Sequence, residues 1–260
     1  MKKIKSILYQ KSLLTESPHH LLLVWMIFTG LFLFSLVISW SEGVLYLLYS
    51  SDKSYISYVI SLLYFCIAIH CAIRIIYISI QINQSKTVED LIKDRKDMDL
   101  KMDGDKVRIN GTIELPDCIV TSFIHDLLNK GSINKDEENE QVFESNTSLI
   151  EVYEARLKGP HEIGWFSADL MIKLGLLGTI VGFIYMLGSV ANITDFDVTT
   201  MQKILKHMST GMGTALYTTL AGLVCSMLAA SQYYLLDSNV DRLIHTTKHL
   251  AQVYILPRLK

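Results

Sequence analysis

Leu170-Met-Ile-Lys-Leu-Gly-Leu-Leu-Gly-Thr-Ile-Val-Gly-Phe-Ile-Tyr-Met-Leu-Gly-Ser-Val190 carries a single charge, Lys173, close to its start. A second stretch, Gly211-Met-Gly-Thr-Ala-Leu-Tyr-Thr-Thr-Leu-Ala-Gly-Leu-Val-Cys-Ser-Met-Leu-Ala-Ala-Ser-Gln-Tyr-Tyr-Leu-Leu236, carries none. As helices, both are long enough to cross a hydrocarbon core of roughly 30 Å. Two more such runs precede them. Leu21–Trp40 is uncharged, and Tyr55–Ile80 is interrupted only by His70 and Arg74 near its far end, where long cationic side chains reach the interface and His70 is an interfacial histidine or, alternatively, a proton group. The wider composition agrees, because half of the 260 residues are hydrophobic and only 19% are charged, low for a water-soluble chain of this size. The sequence therefore predicts an all-α membrane protein, with four transmembrane helices in two hairpins and a mostly helical cytoplasmic domain.

The first run follows a basic leader containing Lys2, Lys3, Lys5 and Lys11. It is longer than a signal-peptide core, begins some twenty residues in and lacks a small-x-small cleavage site, so it reads as a retained helix. Lys and Arg in short flanking segments set orientation. The leader is basic, the Ser41–Ser54 turn has one lysine, and the tail holds Arg242, Lys248, Arg258 and Lys260. Both termini are thus expected in the cytoplasm and Ala191–Thr210 outside, although Lys203 and Lys206 oppose this mildly. The resulting organisation is a cytoplasmic N-terminal segment (1–20), a first transmembrane hairpin (21–80, spans about 21–40 and 55–80), a cytoplasmic domain (81–169), a second pair of spans (170–236, about 170–190 and 211–236) and a cytoplasmic C-terminal helix (237–260). Cys66 and Cys225 fall inside spans, Cys71 near a span end and Cys118 in the cytoplasmic segment, so no disulfide is expected.

Between the hairpins, Ser85–Leu100 has Val88, Leu91 and Ile92 at helical spacing and reads as an extension of the second span. Val107-Arg-Ile-Asn-Gly-Thr-Ile-Glu-Leu115 alternates about an Asn-Gly pair and predicts a β-hairpin, an irregular loop being the alternative. Pro116 opens a helix with Ile119, Phe123, Ile124, Leu127 and Leu128 on one face, ending at Lys130-Gly131. Asn134–Gln141 reads as a solvated linker. A further helix is expected from Ser145, broken by Gly159-Pro160 ahead of the interfacial pair Trp165 and Phe166. Outside, Asp197 stands where an N-cap would, ahead of an amphipathic segment Val198–His207 suited to the membrane surface. In the tail, Val240, Leu243, Ile244, Thr247, Leu250, Ala251 and Tyr254 recur at heptad-like spacing, and Pro257 ends the helix.

The last two spans share a detail that the first two lack. Gly175, Thr179 and Gly182 lie at offsets of minus four, zero and plus three about a threonine, on one helix face. Ala215, Thr219 and Gly222 repeat those offsets, and Ser226 continues the stripe. Both threonines lie roughly 12–14 Å from where their helices enter the membrane, near the bilayer midplane. Their hydroxyls are candidates to line an ion path. The plainer account is that small residues, Gly178-x-x-x-Gly182 among them, let helices pack closely while threonine bonds its own backbone. Neither span holds a midplane carboxylate, so a proton path through this chain needs an acid from another one.

Leu174-Gly-Leu-Leu-Gly-Thr-Ile-Val-Gly-Phe183 and Gly211-Met-Gly-Thr-Ala-Leu-Tyr-Thr-Thr-Leu-Ala-Gly-Leu223 resemble the signature of the MotA/TolQ/ExbB proton channel family. The resemblance covers about the last 90 residues. It implies a homopentamer in the bacterial inner membrane around a dimer of MotB/TolR/ExbD-like single-span chains, each with one membrane aspartate. It also implies a rotary motor or stator driven by proton motive force, no cofactor, H⁺ rather than Na⁺ as coupling ion, and Thr179 and Thr219 lining the lumen. Gly175, Gly178, Gly182, Ala215, Gly222 and Ser226 are then pore-facing or helix-packing positions. TolQ and ExbB usually carry glutamate where Thr214 stands and proline where Leu228 stands, and have three spans with an external N-terminus. Four spans is the MotA layout, but the two membrane prolines typical of flagellar stators are missing. Rivals are a secondary transporter, expected to show internal repeats and broken helices, and a structural scaffold. Nothing points to an enzyme: there is no phosphate loop, metal cluster or nucleophile elbow, and nothing implies a nucleic-acid partner. Arg95, Lys96, Glu151, Glu154 and Arg156 are rotor-contact candidates or simply a solvated face, and Asp169 and Lys173 are one turn apart and expected to pair.

Overall fold

A computed structural model describes residues 20–93, 100–103, 106–109, 113–133, 139–188 and 198–255. The chain order is α1 (His20–Ser41), α2 (Val44–Ser51), α3 (Ile56–Lys93), β1 (Leu100–Asp103), β2 (Lys106–Ile109), β3 (Ile113–Glu114), α4 (Ile119–Ile133), α5 (Asn139–Gly188) and α6 (Val198–Leu250), closed by a π-helical turn at Ala251–Ile255. Four of these helices are long and apolar enough to cross a membrane: α1, α3, α5 and α6. The protein is an α-helical, multi-pass membrane protein with one small sheet. Two compact units divide the chain, one made of Trp25–Ile73 and His161–Tyr234, the other built on Arg74–Pro160 and the residues from Leu235 onward.

In the four-helix unit, α1 ends where Gly43 takes a left-handed φ of 72°, open to glycine at little cost, and α2 starts at once. Helix α2 lies inside what the sequence read as a plain turn. Asp52 then organises the entry to α3: its Oδ1 accepts from the Ser54 amide (2.8 Å) and hydroxyl (2.6 Å), and its Oδ2 from the Ser57 amide (2.7 Å). This satisfies amides at the α3 N-terminus and holds Tyr55 at φ 59°, a conformation non-glycine residues seldom adopt. Burial alone would raise the Asp52 carboxyl, but the bonds from Ser54 and Ser57 outweigh it and hold the group below the ordinary carboxylate range. Asp52→Ala is expected to cost about 1 kcal/mol, as loss of a capping side chain does, read as a lower thermal midpoint. Because the folded pKa is depressed, that contribution is fully present above about pH 4 and is lost as acid takes the pH through the folded value.

Aromatic and hydroxyl contacts join the first hairpin. Phe32 meets Tyr64 edge-on (5.4 Å between centroids), Tyr49 packs on Tyr58 (4.5 Å), and the Tyr49 hydroxyl bonds Ser61 Oγ (2.8 Å). Most of the α1 surface is apolar and exposed, as Ile27, Leu31, Phe34 and Val37 show. An apolar exterior of this kind faces hydrocarbon or another apolar helix.

The second unit has its own core. Val88 and Ile92 of α3, Val107 of β2, Leu115, Cys118, and Val120, Ile124 and Leu128 of α4 close on Leu250 and Ile255, with Leu91 and Tyr254 packed against them. The tail positions picked out by heptad spacing are buried from Val240 to Ala251. The β-hairpin about Asn110-Gly111 is present: β2 pairs antiparallel with β3, Arg108 opposite Glu114 and Ile109 opposite Ile113. The sheet has one strand more than expected, because β1 pairs with β2 in the register Leu100 to Ile109. Gln81 of α3 accepts from the Ile119 amide (2.9 Å), covering one of the unpaired donors that open α4. Phe123 stands edge-on to Tyr153 of α5, whose hydroxyl donates to Asp126 (2.6 Å).

Several expected boundaries move. Helix α4 passes Lys130-Gly131 to reach Ile133, and α5 begins at Asn139, inside the expected linker. Gly159-Pro160 does not break α5, which continues through Pro160 to Gly188. Proline removes one amide and crowds the preceding carbonyls, but here Arg74 Nη2 donates to the Leu157 carbonyl at 2.8 Å, so the strained turn keeps a partner. Arg74 is thus turned to backbone and to the ring of Tyr77 (5.2 Å). Val198–His207 is not a separate surface helix, since it forms the first turns of α6. Asp197, Arg95, Lys96 and Pro257 lie outside the described residues.

Candidate functional site

The last two spans meet backbone to backbone. A Cβ on Gly182 of α5 would stand 2.6 Å from the Ala215 amide nitrogen and 2.7 Å from the Gly211 carbonyl of α6. One on Gly222 of α6 would stand 2.7 Å from the Met171 carbonyl, and one on Gly178 would collide with the Thr218 side chain. Gly175 is less tight, its nearest neighbours being Thr218 O at 3.2 Å and the Gly222 and Thr219 Cα atoms at 3.3 Å. Glycine is required here because the helices approach closer than any side chain allows. Gly175, Gly178, Gly182 and Gly222 are therefore packing positions within one chain, and Ser226 lies buried on the same stripe.

The threonines of the two spans fall into two classes. Thr214 and Thr218 are fully buried at the helix contact. Thr218 bonds the Thr214 carbonyl (2.8 Å). The Thr214 hydroxyl donates to the Ser51 carbonyl (2.8 Å) and receives the Lys53 amide (3.3 Å), so it clasps the turn between the first two spans. Thr179 and Thr219, by contrast, are half-buried at the margin of the contact, as is Ala215. Thr179 Oγ1 donates to its own Leu176 carbonyl (2.6 Å), and Thr219 Oγ1 lies 3.0 Å from the Ala215 carbonyl and 3.2 Å from Gly175 O across the interface. A hydroxyl bonded only to carbonyls keeps its oxygen lone pairs for another donor.

The family model for the MotA/TolQ/ExbB proton channel family matches residues 117–249, just over half of the 260. This chain belongs to that family. Comparison with curated proteins and with solved structures gives no significant match. The family is one of proton channels rather than enzymes. The match takes in α4, the whole of α5 and nearly all of α6, hence both close-packed spans and Thr179, Thr214, Thr218 and Thr219, but not Ser51 and Lys53.

Sequence reasoning missed Thr214 and Thr218. A signal was available, since Gly211, Thr214, Thr218, Gly222 and Ser226 recur every three or four residues, sharing Gly222 and Ser226 with the stripe centred on Thr219 and standing one position behind it at Thr214 and Thr218. In this MotA/TolQ/ExbB chain His70, which the sequence offered as an interfacial histidine or a proton group, is half-buried with its Nδ1 2.7 Å from the Tyr233 hydroxyl. Asp169 and Lys173 pair as expected, at 2.5 Å.

Proposed function

We propose that the protein is the channel-forming subunit of an ion-driven motor of the inner membrane, acting as a homopentamer around two MotB/TolR/ExbD-like chains with both its termini in the cytoplasm. Protons travel past Thr179 and Thr219 to a membrane aspartate on the partner, and the turnover of that carboxylate drives rotation or force. The observation that carries this reading is the division of the threonines by exposure: Thr214 and Thr218 are sealed inside the helix contact, while Thr179 and Thr219 stay half-exposed at its margin with lone pairs that an outside donor can reach. Family membership supplies the rest of the support. The spans Leu170–Val190 and Gly211–Leu236 hold no acid, so a titrating partner is needed. Both spans also run as unbroken helices through this depth, which disfavours a transporter with discontinuous helices at the midplane.

The test is co-expression with a single-span MotB/TolR/ExbD-like protein from the same organism, native mass spectrometry of the purified complex, and proton flux in liposomes. Thr179→Val/Thr219→Val should leave a five-to-two assembly intact while flux falls by about tenfold or more. Unchanged flux in that variant, or a stable assembly with no second chain, would remove this reading.

A further inference from the structure

The four-helix unit brings together three titratable rings that the threonine pathway does not use, two buried and one, His70, half-buried. Tyr233 of α6 has no exposed surface and His161 of α5 is 1% exposed. The Tyr233 hydroxyl lies 2.7 Å from His70 Nδ1 of α3, with the two rings stacked at 6.3 Å and 21°. His161 meets the other side of the cluster, its ring edge-on to Tyr233 at 6.4 Å and 60°. The space for Tyr233 is shaped by Gly164, one turn beyond His161, since a Cβ there would fall inside the phenol ring. Three different helices thus converge on one phenol.

Such a cluster is costly in an apolar unit, where leucine or phenylalanine would fill the same volume without desolvating polar atoms. Imidazole is also the side chain whose ordinary pKa, about 6.5, lets it take up and release protons near neutral pH. The buried face of α6 leads to it through Thr214, Thr218, Ser226 and Gln232, all at most 4% exposed. Tyr233 is 14 residues beyond Thr219, roughly 21 Å along the helix, so the two levels are distinct. Charged residues flank the cluster on each helix: Arg74 after His70, Lys158 and Glu162 on either side of His161, and Asp237 after Tyr233. Arg74 donates to the Leu157 carbonyl, and Lys158 is held by Glu154 (2.8 Å) and Asp241 (2.6 Å). On α3 and α6 the cluster therefore stands where the apolar run gives way to charge.

We propose that His70, Tyr233 and His161 form a second proton-holding station of the channel, between the Thr179/Thr219 level and the cytoplasm; this rests on the channel reading above. With His70 neutral and its ring hydrogen on Nε2, Tyr233 donates to Nδ1. An arriving proton is taken by the Tyr233 oxygen as the hydroxyl hydrogen passes to Nδ1, giving imidazolium. Loss of the Nε2 hydrogen to water completes the transfer, and exchange of the ring tautomer with rotation of the hydroxyl restores the start. Only O–H and N–H bonds form and break, and one proton enters for each that leaves. His161, packed on the same ring, holds Tyr233 in place.

The experiment measures proton flux of the co-expressed complex in liposomes under an imposed potential, from about pH 5.5 to 8, spanning the imidazole range. The variants are His70→Gln, Tyr233→Phe and, as a separate control on the channel, Thr219→Val. His70→Gln should lower flux by about tenfold and abolish one limb of the pH profile. Tyr233→Phe keeps the ring in the Gly164 cradle and should move that limb to a different pH, and it carries the test if His70→Gln does not assemble. Flux and pH profile unchanged in Tyr233→Phe or His70→Gln, with Thr219→Val inactive, would overturn the station and leave the channel standing. Reduced flux with an unchanged profile would also overturn it, since that is the mark of a purely structural role. Flux indifferent to all three changes would remove the channel reading as well.

Discussion

Gly182→Leu is expected to prevent the last two spans from packing and to cost about 3 kcal/mol or more, the upper range for overpacking. The atoms a new Cβ would meet are the Ala215 nitrogen at 2.6 Å, the Gly211 carbonyl at 2.7 Å and the Ala215 Cβ at 2.8 Å. Two of the three are backbone, so no rotamer change clears the space, and the helices must separate along their length. Separation also undoes the Gly222 approach to Met171 and the Thr219 bond to Gly175, because all lie on one contact. The check is the thermal midpoint of the purified protein in detergent across a graded series. Gly175→Ala, with neighbours at 3.2–3.3 Å, should be mild, and Gly182→Ala should already be damaging. Gly30→Leu and Gly188→Leu, where nothing lies within 4 Å, should leave the midpoint nearly unchanged. Equal effects at Gly30 and Gly182 would show that glycine serves helix flexibility rather than close approach.

The second large effect is expected at Arg74. Its guanidinium donates to the Leu157 carbonyl in the turn that Pro160 disturbs, so Arg74→Leu should cost about 2 kcal/mol, the scale of a hydrogen bond from a charged group. The cost depends on the proline. In a Pro160→Ala background the helix recovers its amide and the preceding carbonyls can turn back into the α5 ladder, so the same arginine change should cost less by about 1 kcal/mol. A double-mutant cycle on thermal or denaturant stability measures that coupling. Strict additivity would mean that Arg74 serves its cation-π contact with Tyr77 alone and has nothing to do with the proline turn.

The number of spans, the hairpin at Asn110-Gly111 and the buried positions from Val240 to Ala251 were readable in the sequence because each rests on a local period: an uncharged run, an alternation about Asn-Gly, a repeat of three and four. The features that were not readable depend on partners distant in sequence. Continuity through Pro160 is supported by a residue 86 positions earlier, and no local rule connects Arg74 with Leu157. His70 stands near a span end, where histidine ordinarily meets the interface, and its partner Tyr233 lies 163 residues away. The small-residue stripe of the fourth span, read as pore-facing or helix-packing, holds Gly222 and Ser226 of the close contact, while the fully buried threonines stand one residue before Ala215 and Thr219. Adjacent residues on a helix differ by about 100°, and Thr218 and Thr219 have the same side chain, so composition alone could not decide between them. Thr214 shows the same limit. Its part in the structure comes from Ser51 and Lys53, which no spacing rule ties to it.

That clasp separates evolutionary modularity from physical modularity. The portion of the chain with recognisable ancestry starts at residue 117, but its last span is fastened by Thr214 to a turn some sixty positions before that boundary, and Tyr233 to a histidine in the same early portion. The oldest readable block is thus not a transplantable part. A chimera that exchanges only residues 117–249 between relatives would leave the Ser51 carbonyl and His70 facing side chains selected for another neighbour. Residues 25–73 have to travel with it, as one inherited piece.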